Sequence, residues 1–283
     1  MKFTGKIIIS DIDFTFLDEH RQPVARNLEA VEYFKRNGGR FAIATGRVPE
    51  CMGPLEPVFR ELVNSPCVVC NGAYLYDFTA NQRHSEILLD YDRTDEMMRR
   101  VMAEFPDVGV RISTQQGYLI VRSNNYIRSE LSADGWEKLK RAGLYHEAEG
   151  GAIPHNGWFR VAFRADAGRL NQVRERFEAD YAEFFAFSFA EETIYEFQDI
   201  TATKGSAIAR LKAHLRSLGD DSELRVWAAG DYENDLPLLA ASDISACPSN
   251  AIDKVKAIAK IHLCHCNDGA IADLIERIER GEA

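Results

Sequence analysis

Lys6-Ile7-Ile8-Ile9-Ser10-Asp11-Ile12-Asp13-Phe14-Thr15 sets two carboxylates one residue apart where an unbroken apolar run stops. A short apolar run rich in β-branched residues and closed by polar ones reads as a strand buried on both faces. Side chains two positions apart in a strand share a face, so Asp11 and Asp13 start together unless the chain turns between them. Carboxylates held that close repel and share protons. A divalent cation, or a division of labour into acid and base, is the natural way to keep both.

Outward from this stretch the same punctuation recurs. Apolar runs at 41–44 and 68–70 alternate with a helical spacing of Val24, Leu28, Val31 and Phe34 that stops at Asn37-Gly38-Gly39. The rhythm resumes with Ile208, Leu211, Leu215 and Leu218, strands at 225–229, 244–247 and 261–264, a helix from about Asn234, and a last helix carrying Ile271, Leu274, Ile275 and Ile278. This βαβ pattern at both ends predicts one doubly wound, mostly parallel α/β sheet. Between 78 and 200 it changes: helices at 94–105, 127–141 and 170–181, with strands at 110–113, 118–121, 159–164, 184–189 and 193–197. Helix-then-hairpin at the start and end of that insert predicts a small α+β domain with an antiparallel sheet and a weak internal repeat. The expected division is a core of 1–77 and 201–283 with an inserted domain at 78–200.

Composition bounds the function. With 283 residues, 46% of them apolar and 28% charged, the chain has the make-up of a globular protein, and no apolar segment approaches a membrane span. A formal charge of -10 argues against a nucleic-acid partner, which needs a basic surface. The start of the chain enters a strand instead of a secretory segment, so the expected location is the cytoplasm. Six scattered cysteines, Cys51, Cys67, Cys70, Cys247, Cys264 and Cys266, lack the density of a disulfide scaffold and read as reduced thiols. Cys67-X-X-Cys70 in an apolar strand, and His262, Cys264, His265 and Cys266 near the end, read as packing residues before redox or zinc ligands.

Four features fall at strand ends, the edge where open α/β sheets bind ligands. They are Thr45-Gly46-Arg47, Asn71-Gly72, Lys204-Gly205, and Gly230-Asp231-Tyr232-Glu233-Asn234-Asp235. Each alone has a plain reading: a helix cap for Thr45, a turn for Asn71-Gly72, a solvated lysine for Lys204. Together with Asp11 and Asp13 they supply a hydroxyl, an ammonium and several carboxylates at one rim, the groups that a phosphoryl transfer with Mg²⁺ requires.

In that order, Asp11-Ile12-Asp13-Phe14-Thr15, Ala44-Thr45-Gly46-Arg47, Lys204-Gly205 and Gly230 to Asp235 resemble the four motifs of the haloacid dehalogenase superfamily. Val69-Cys70-Asn71-Gly72-Ala73, Thr203-Lys204-Gly205-Ser206-Ala207, Ser249-Asn250-Ala251 through Lys256-Ala257, and Asn267-Asp268-Gly269 are similar to its Cof-type branch, whose cap is inserted between the second and third motifs. The resemblance covers essentially the whole chain. It implies a Mg²⁺-dependent phosphatase of small phosphorylated metabolites, in which Asp11 attacks phosphorus and forms an aspartyl-phosphate while Asp13 serves as acid and then base. Thr45, Gly46, Lys204 and Asn234 would hold the phosphoryl group. Asp11, the Asp13 backbone carbonyl and Asp231 would ligate the metal, with Asp235 a further ligand or a support behind them. Arg47, Asn71 and Gly72 would form site wall.

Within the resemblance, sugar phosphates lead and flavin mononucleotide or pyridoxal phosphate compete; nothing points to nucleic acid or membrane, and oligomeric state is not read. Rival readings are a phosphomutase, a phospho-acceptor switch of the response-regulator type, and a catalytically silent binder. The last is motivated by Phe14, which stands where the first motif usually has glycine and matters if its side chain enters the phosphate cradle or the backbone there requires positive φ. In the insert, Phe185, Phe187 and Phe189 read as the domain's own core, and Arg111, Arg122, Trp136, Arg160 and Arg164 as candidates for substrate contact.

Overall fold

The computed structural model describes residues 1–148, 153–155, 157–220 and 223–283. Its first stretch runs β1 (Lys6–Ser10), α1 (Ala25–Arg36), β2 (Arg40–Ile43), α2 (Leu55–Leu62), β3 (Cys67–Val69), β4 (Tyr74–Asp77) and β5 (Gln82–His84). Next come α3 (Tyr91–Glu104), β6 (Gly109–Thr114), β7 (Gly117–Arg122), α4 (Asn125–Arg128), α5 (Ala133–Arg141), β8 (Tyr145–Glu147), β9 (Trp158–Arg164), α6 (Ala167–Tyr181), β10 (Phe185–Glu191) and β11 (Ile194–Asp199). The chain closes with α7 (Ser206–Ser217), β12 (Arg225–Ala229), α8 (Leu236–Ala241), β13 (Ile244–Cys247), α9 (Asp253–Ile258), β14 (Ile261–His262) and α10 (Ala270–Arg280).

One unit comprises Met1–Gly46, Pro54–Ser85 and Thr203–Ala283. Its five-stranded sheet is parallel throughout, in the order β14-β13-β12-β1-β2. Ile7, Ile8 and Ile9 are buried because β1 is central and covered on both faces. From β1 the chain steps one way to β2, and from β12 it steps the other way to β13 and β14. Right-handed crossovers therefore send the intervening helices to opposite faces and create a switch point between the ends of β1 and β12. The helices group accordingly, α1 with α10 and α2, and α8 with α7 and α9.

The other unit comprises Arg47–Gly53 and Glu86–Ala202 and holds a six-stranded sheet, β10-β11-β9-β6-β7-β8. The two helix-hairpin modules, α3-β6-β7 and α6-β10-β11, flank β9. Val110, Ile112, Phe159, Val161, Phe163, Tyr195 and Phe197 are buried on one face, level with one another across the ladder. α3 offers Met97, Met98 and Val101, and α6 offers Leu170, Val173 and Phe177, as their buried stripes.

Several details differ from the sequence reading. The residues up to Ser85 stay with the first unit because β5 pairs back onto β4, a hairpin too short and too polar to read from alternation. The helix expected at 127–141 is two: Ser132 caps α5 by accepting from the Gly135 N–H, a local bond that starts a new helix. The sheet of the second unit is not wholly antiparallel, since β8 adds parallel to β7.

Candidate active site

β1 and β12 lie side by side, Ser10 level with Ala229, so the residues that follow each strand emerge together. Asp11 leaves β1 with its N–H bonded to the Ala229 carbonyl (2.8 Å), and Gly230-Asp231 leaves β12. Thr45 follows β2 and its N–H donates to the Val68 carbonyl, while the Asn71 N–H donates to the Thr45 carbonyl (2.9 Å). Residues far apart in sequence are thus delivered to one sheet edge by backbone pairing alone.

Lys204 is the centre of the polar cluster. Its side chain is fully buried, and Nζ donates to Asp11 Oδ1 and to Asp235 Oδ1, each at 2.6 Å. The second oxygen of Asp235 accepts the N–H groups of Asp231 (3.0 Å) and Tyr232 (3.3 Å). Asp235 therefore fixes both the ammonium and the turn that carries Asp231. Gly230 makes this possible: a Cβ there would sit 2.4 Å from Asp235 Cγ. Thr15 donates its hydroxyl to Asp231 Oδ1 (2.7 Å).

Asp11, Asp231 and Asp235 each present a carboxylate oxygen within 4.8 Å of the others, and all three residues are buried. They form the one such group of His, Cys, Asp and Glu side chains among the described residues; His262, Cys264 and His265 do not assemble into another. Burial pushes the Asp11 carboxyl up to about 7, with Lys204 opposing and the charges of Asp235 and Asp13 adding to the rise. Burial likewise holds Asp231 well above the usual carboxylate range, reinforced by Asp11 and Asp235 and opposed by Thr15 and Lys204. Although burial disfavours its charge, Lys204 is raised by the two carboxylates it bridges. Three buried carboxyl groups thus stand around one ammonium. An all-oxygen donor set of this kind fits a hard divalent cation.

The remaining predicted residues divide. Asp13 is half-buried, 3.8 Å from Arg21 Nε. Asn234 Nδ2 donates to Asn71 Oδ1 (3.5 Å), bringing two expected residues together. Gly72 adopts φ +94°, and a Cβ there would lie 2.2 Å from the Thr203 carbonyl oxygen, so it lets the chain pass beside the loop that carries Lys204. Gly46 ends a segment of the first unit, and Arg47 belongs to the second.

Phe14 does adopt the left-handed conformation, φ 59°, which a bulky residue takes at a cost of about 1–2 kcal/mol. Its carbonyl accepts from Asn250 Nδ2 (2.8 Å), and Asn250 Oδ1 accepts the Cys266 N–H (3.0 Å). That clamp holds the turn without glycine. Thr15 and Asn250 are the supports that the sequence reading missed as site residues, although both lie within the motifs it quoted.

The insert's candidates also part company. Arg122 caps the end of α3 through the Met102 and Phe105 carbonyls, and Trp136 Nε1 donates to the Arg128 carbonyl. Arg111, Arg160 and Arg164 are buried on the sheet face opposite the helices α3 and α6.

A family profile described as haloacid dehalogenase-like hydrolase matches residues 8–275. Phosphatase YwpJ of Bacillus subtilis is 24% identical over 96% of this chain and 99% of its own length. Pyridoxal phosphate phosphatase YbhA of Escherichia coli is 23% identical over 96% of this chain and 98% of its own. Among solved structures, the subclass IIB sugar phosphatase BT4131 superposes with a TM-score of 0.77 at 17% identity, covering 98% of this chain and 100% of that one. No helix among the described residues is long and apolar enough to cross a membrane. With the profile matched across nearly its entire length, and the motif residues gathered at the switch point of its parallel sheet, the chain belongs to the haloacid dehalogenase-like hydrolase family.

Proposed function

We propose that the protein is a Mg²⁺-dependent phosphatase that hydrolyses a small phosphorylated metabolite, with a sugar phosphate favoured, through an aspartyl-phosphate on Asp11. The observation that carries this reading is the buried cluster of Asp11, Asp231 and Asp235 with Lys204 bridging the first and last. Relatives named as phosphatases across nearly the full length support the reaction class.

The Asp11 carboxylate attacks phosphorus, and a new P–O bond forms as the bond to the substrate's alcohol oxygen breaks. Asp13, less buried than Asp11, gives its proton to the departing oxygen. It then takes a proton from water, whose oxygen attacks phosphorus and returns Asp11 as carboxylate with release of inorganic phosphate. Lys204 holds Asp11 in place and offers positive charge to the transferring group, while Thr45, Gly46 and Asn234 border it. Asp11, the Asp13 carbonyl and Asp231 are the ligands proposed for the cation, and Asp235 positions Lys204 and the Asp231 turn. Bound there, Mg²⁺ offsets the negative charge that builds on the phosphoryl oxygens.

Phosphate release from a panel of phosphorylated metabolites, with and without Mg²⁺, tests the proposal. No turnover on any member by folded, metal-loaded protein would leave the silent binder as the better reading.

A further inference from the structure

Between β3 and β4 three consecutive residues, Cys70, Asn71 and Gly72, hold positive φ of 50°, 54° and 94°. Two of them carry side chains, and each costs about 1–2 kcal/mol in the left-handed region. Ser85, which follows β5, is a further residue of this kind at φ 54°. Such backbone persists only where its surroundings over-determine it, and it gathers at functional sites.

One side chain grips both segments. Arg210 of α7 donates from Nη1 to the Ser85 carbonyl (2.8 Å) and from Nη2 to the Gly72 carbonyl. Its placement is unfavourable in itself. Nε is buried with no hydrogen-bond partner among the described residues, a deficit of about 1–3 kcal/mol. Burial lowers the pKa of the guanidinium, and no carboxylate opposes that shift. A half-buried arginine without an acidic partner is uncommon, and here its rigid fork of donors spans two strained carbonyls that a single-headed side chain could not hold together.

On its other side the 70–72 turn meets the polar cluster. The Asn71 N–H donates to the Thr45 carbonyl (2.9 Å), and Asn71 Oδ1 accepts from Asn234 Nδ2 (3.5 Å). Gly72 abuts the Thr203 carbonyl, one residue before Lys204. All of these residues belong to the first unit. We propose that Arg210 is a positioning residue for the site: its fork clamps the Gly72 carbonyl, fixes the strained turn, and so holds the Asn71 amide against Asn234. The effect on turnover rests on the phosphatase reading; the hold on the turn does not.

Two measurements on the full chain test this. In hydrogen exchange, R210M, which keeps an unbranched stem but no donors, should release the Asn71 and Ala73 amides at least about tenfold faster, with the β12 amides unchanged. In p-nitrophenyl phosphate turnover with Mg²⁺, R210M should lower kcat/KM by about 10–100-fold, the scale on which small misplacements act. N71G removes the amide and relaxes the backbone at once, so adding R210M to N71G should cost less than about threefold more. R210K, able to reach one carbonyl, should recover part of both effects, and it keeps the experiment readable if R210M fails to fold. Unchanged exchange at Asn71 and Ala73 in a folded variant, or losses that multiply fully in the double variant, would overturn the inference. Absent turnover by the wild-type protein, alongside faster exchange in R210M, sinks the phosphatase reading alone.

Discussion

Lys204 Nζ stands between Asp11 Oδ1 and Asp235 Oδ1, 2.6 Å from each, with no exposure to solvent. The ammonium sets a positive charge between two buried carboxyl groups that lie near a third. In K204M that compensation is lost, and kcat/KM for phosphate release should fall by about 10²–10³-fold, with a loss of fold stability of about 3–5 kcal/mol from the uncompensated buried charge. K204R should not rescue activity, because a planar guanidinium cannot replace a point charge in a fully packed position. Steady-state kinetics together with chemical denaturation measure both effects.

Asp13 is assigned the proton transfers, so its loss should reveal the two steps. D13N should reduce kcat for an alkyl phosphate by about 10²–10⁴-fold. With p-nitrophenyl phosphate, whose leaving group needs little protonation, the first step should survive better than the second. A stopped-flow burst of nitrophenolate, followed by slow turnover, is the expected trace. A uniform loss without a burst would argue that Asp13 acts only before phosphorylation, and undiminished turnover that it plays no part.

The carboxyl of Asp11 is raised from an ordinary 3.8 to about 7, chiefly by burial, and Asp231 moves in the same direction. A raised folded-state value means that ionisation opposes folding: the stabilising contribution is complete below the ordinary value and is lost as pH climbs through about 7. Lys204, also raised, stays protonated throughout this window and contributes no slope. The melting temperature of metal-free protein should therefore gain more from added Mg²⁺ at about pH 8 than at about pH 5, because the cation binds the ionised carboxylates that protons otherwise neutralise. Equal gains at both pH values would count against these residues as the metal site.

Two backbone positions beside the cluster should respond in opposite ways. G72A places a methyl group 2.2 Å from the Thr203 carbonyl oxygen at φ +94°, and should destabilise the protein by about 2–4 kcal/mol while disturbing Lys204. F14G removes left-handed strain of about 1–2 kcal/mol but adds chain entropy to the unfolded state, so stability should change by less than about 1 kcal/mol and activity should persist. Loss of activity in F14G would show that the ring, not the turn, is needed.

How much of this was legible follows from the physics of each element. The strand ends of the first unit could be read because a buried parallel strand is a short apolar run, and the polar residue that closes it sits at the ligand-binding edge. Asp11, Lys204 and Asp231 announced themselves by type and order. Thr15 and Asn250 did not, since a hydroxyl or amide that steadies a neighbour leaves no spacing signal; only the contacts to Asp231 and to the Phe14 carbonyl reveal them. The break at Ser132 and the parallel pairing of β8 depend on one local cap and one long-range partner, which periodicity does not encode. For Arg111, Arg160 and Arg164, alternation indicated which residues share a side but not their burial, which depends on packing with segments remote in sequence.

The most direct test of the central claim is acid quenching of p-nitrophenyl phosphate turnover in the presence of Mg²⁺, with peptide mass spectrometry to locate the phosphoryl group. The account predicts phosphate on the peptide carrying Asp11, absent when the divalent cation is chelated and absent in D11N, which should also lose turnover. Phosphorylation at another residue, or D11N turning over at the wild-type rate, would contradict it.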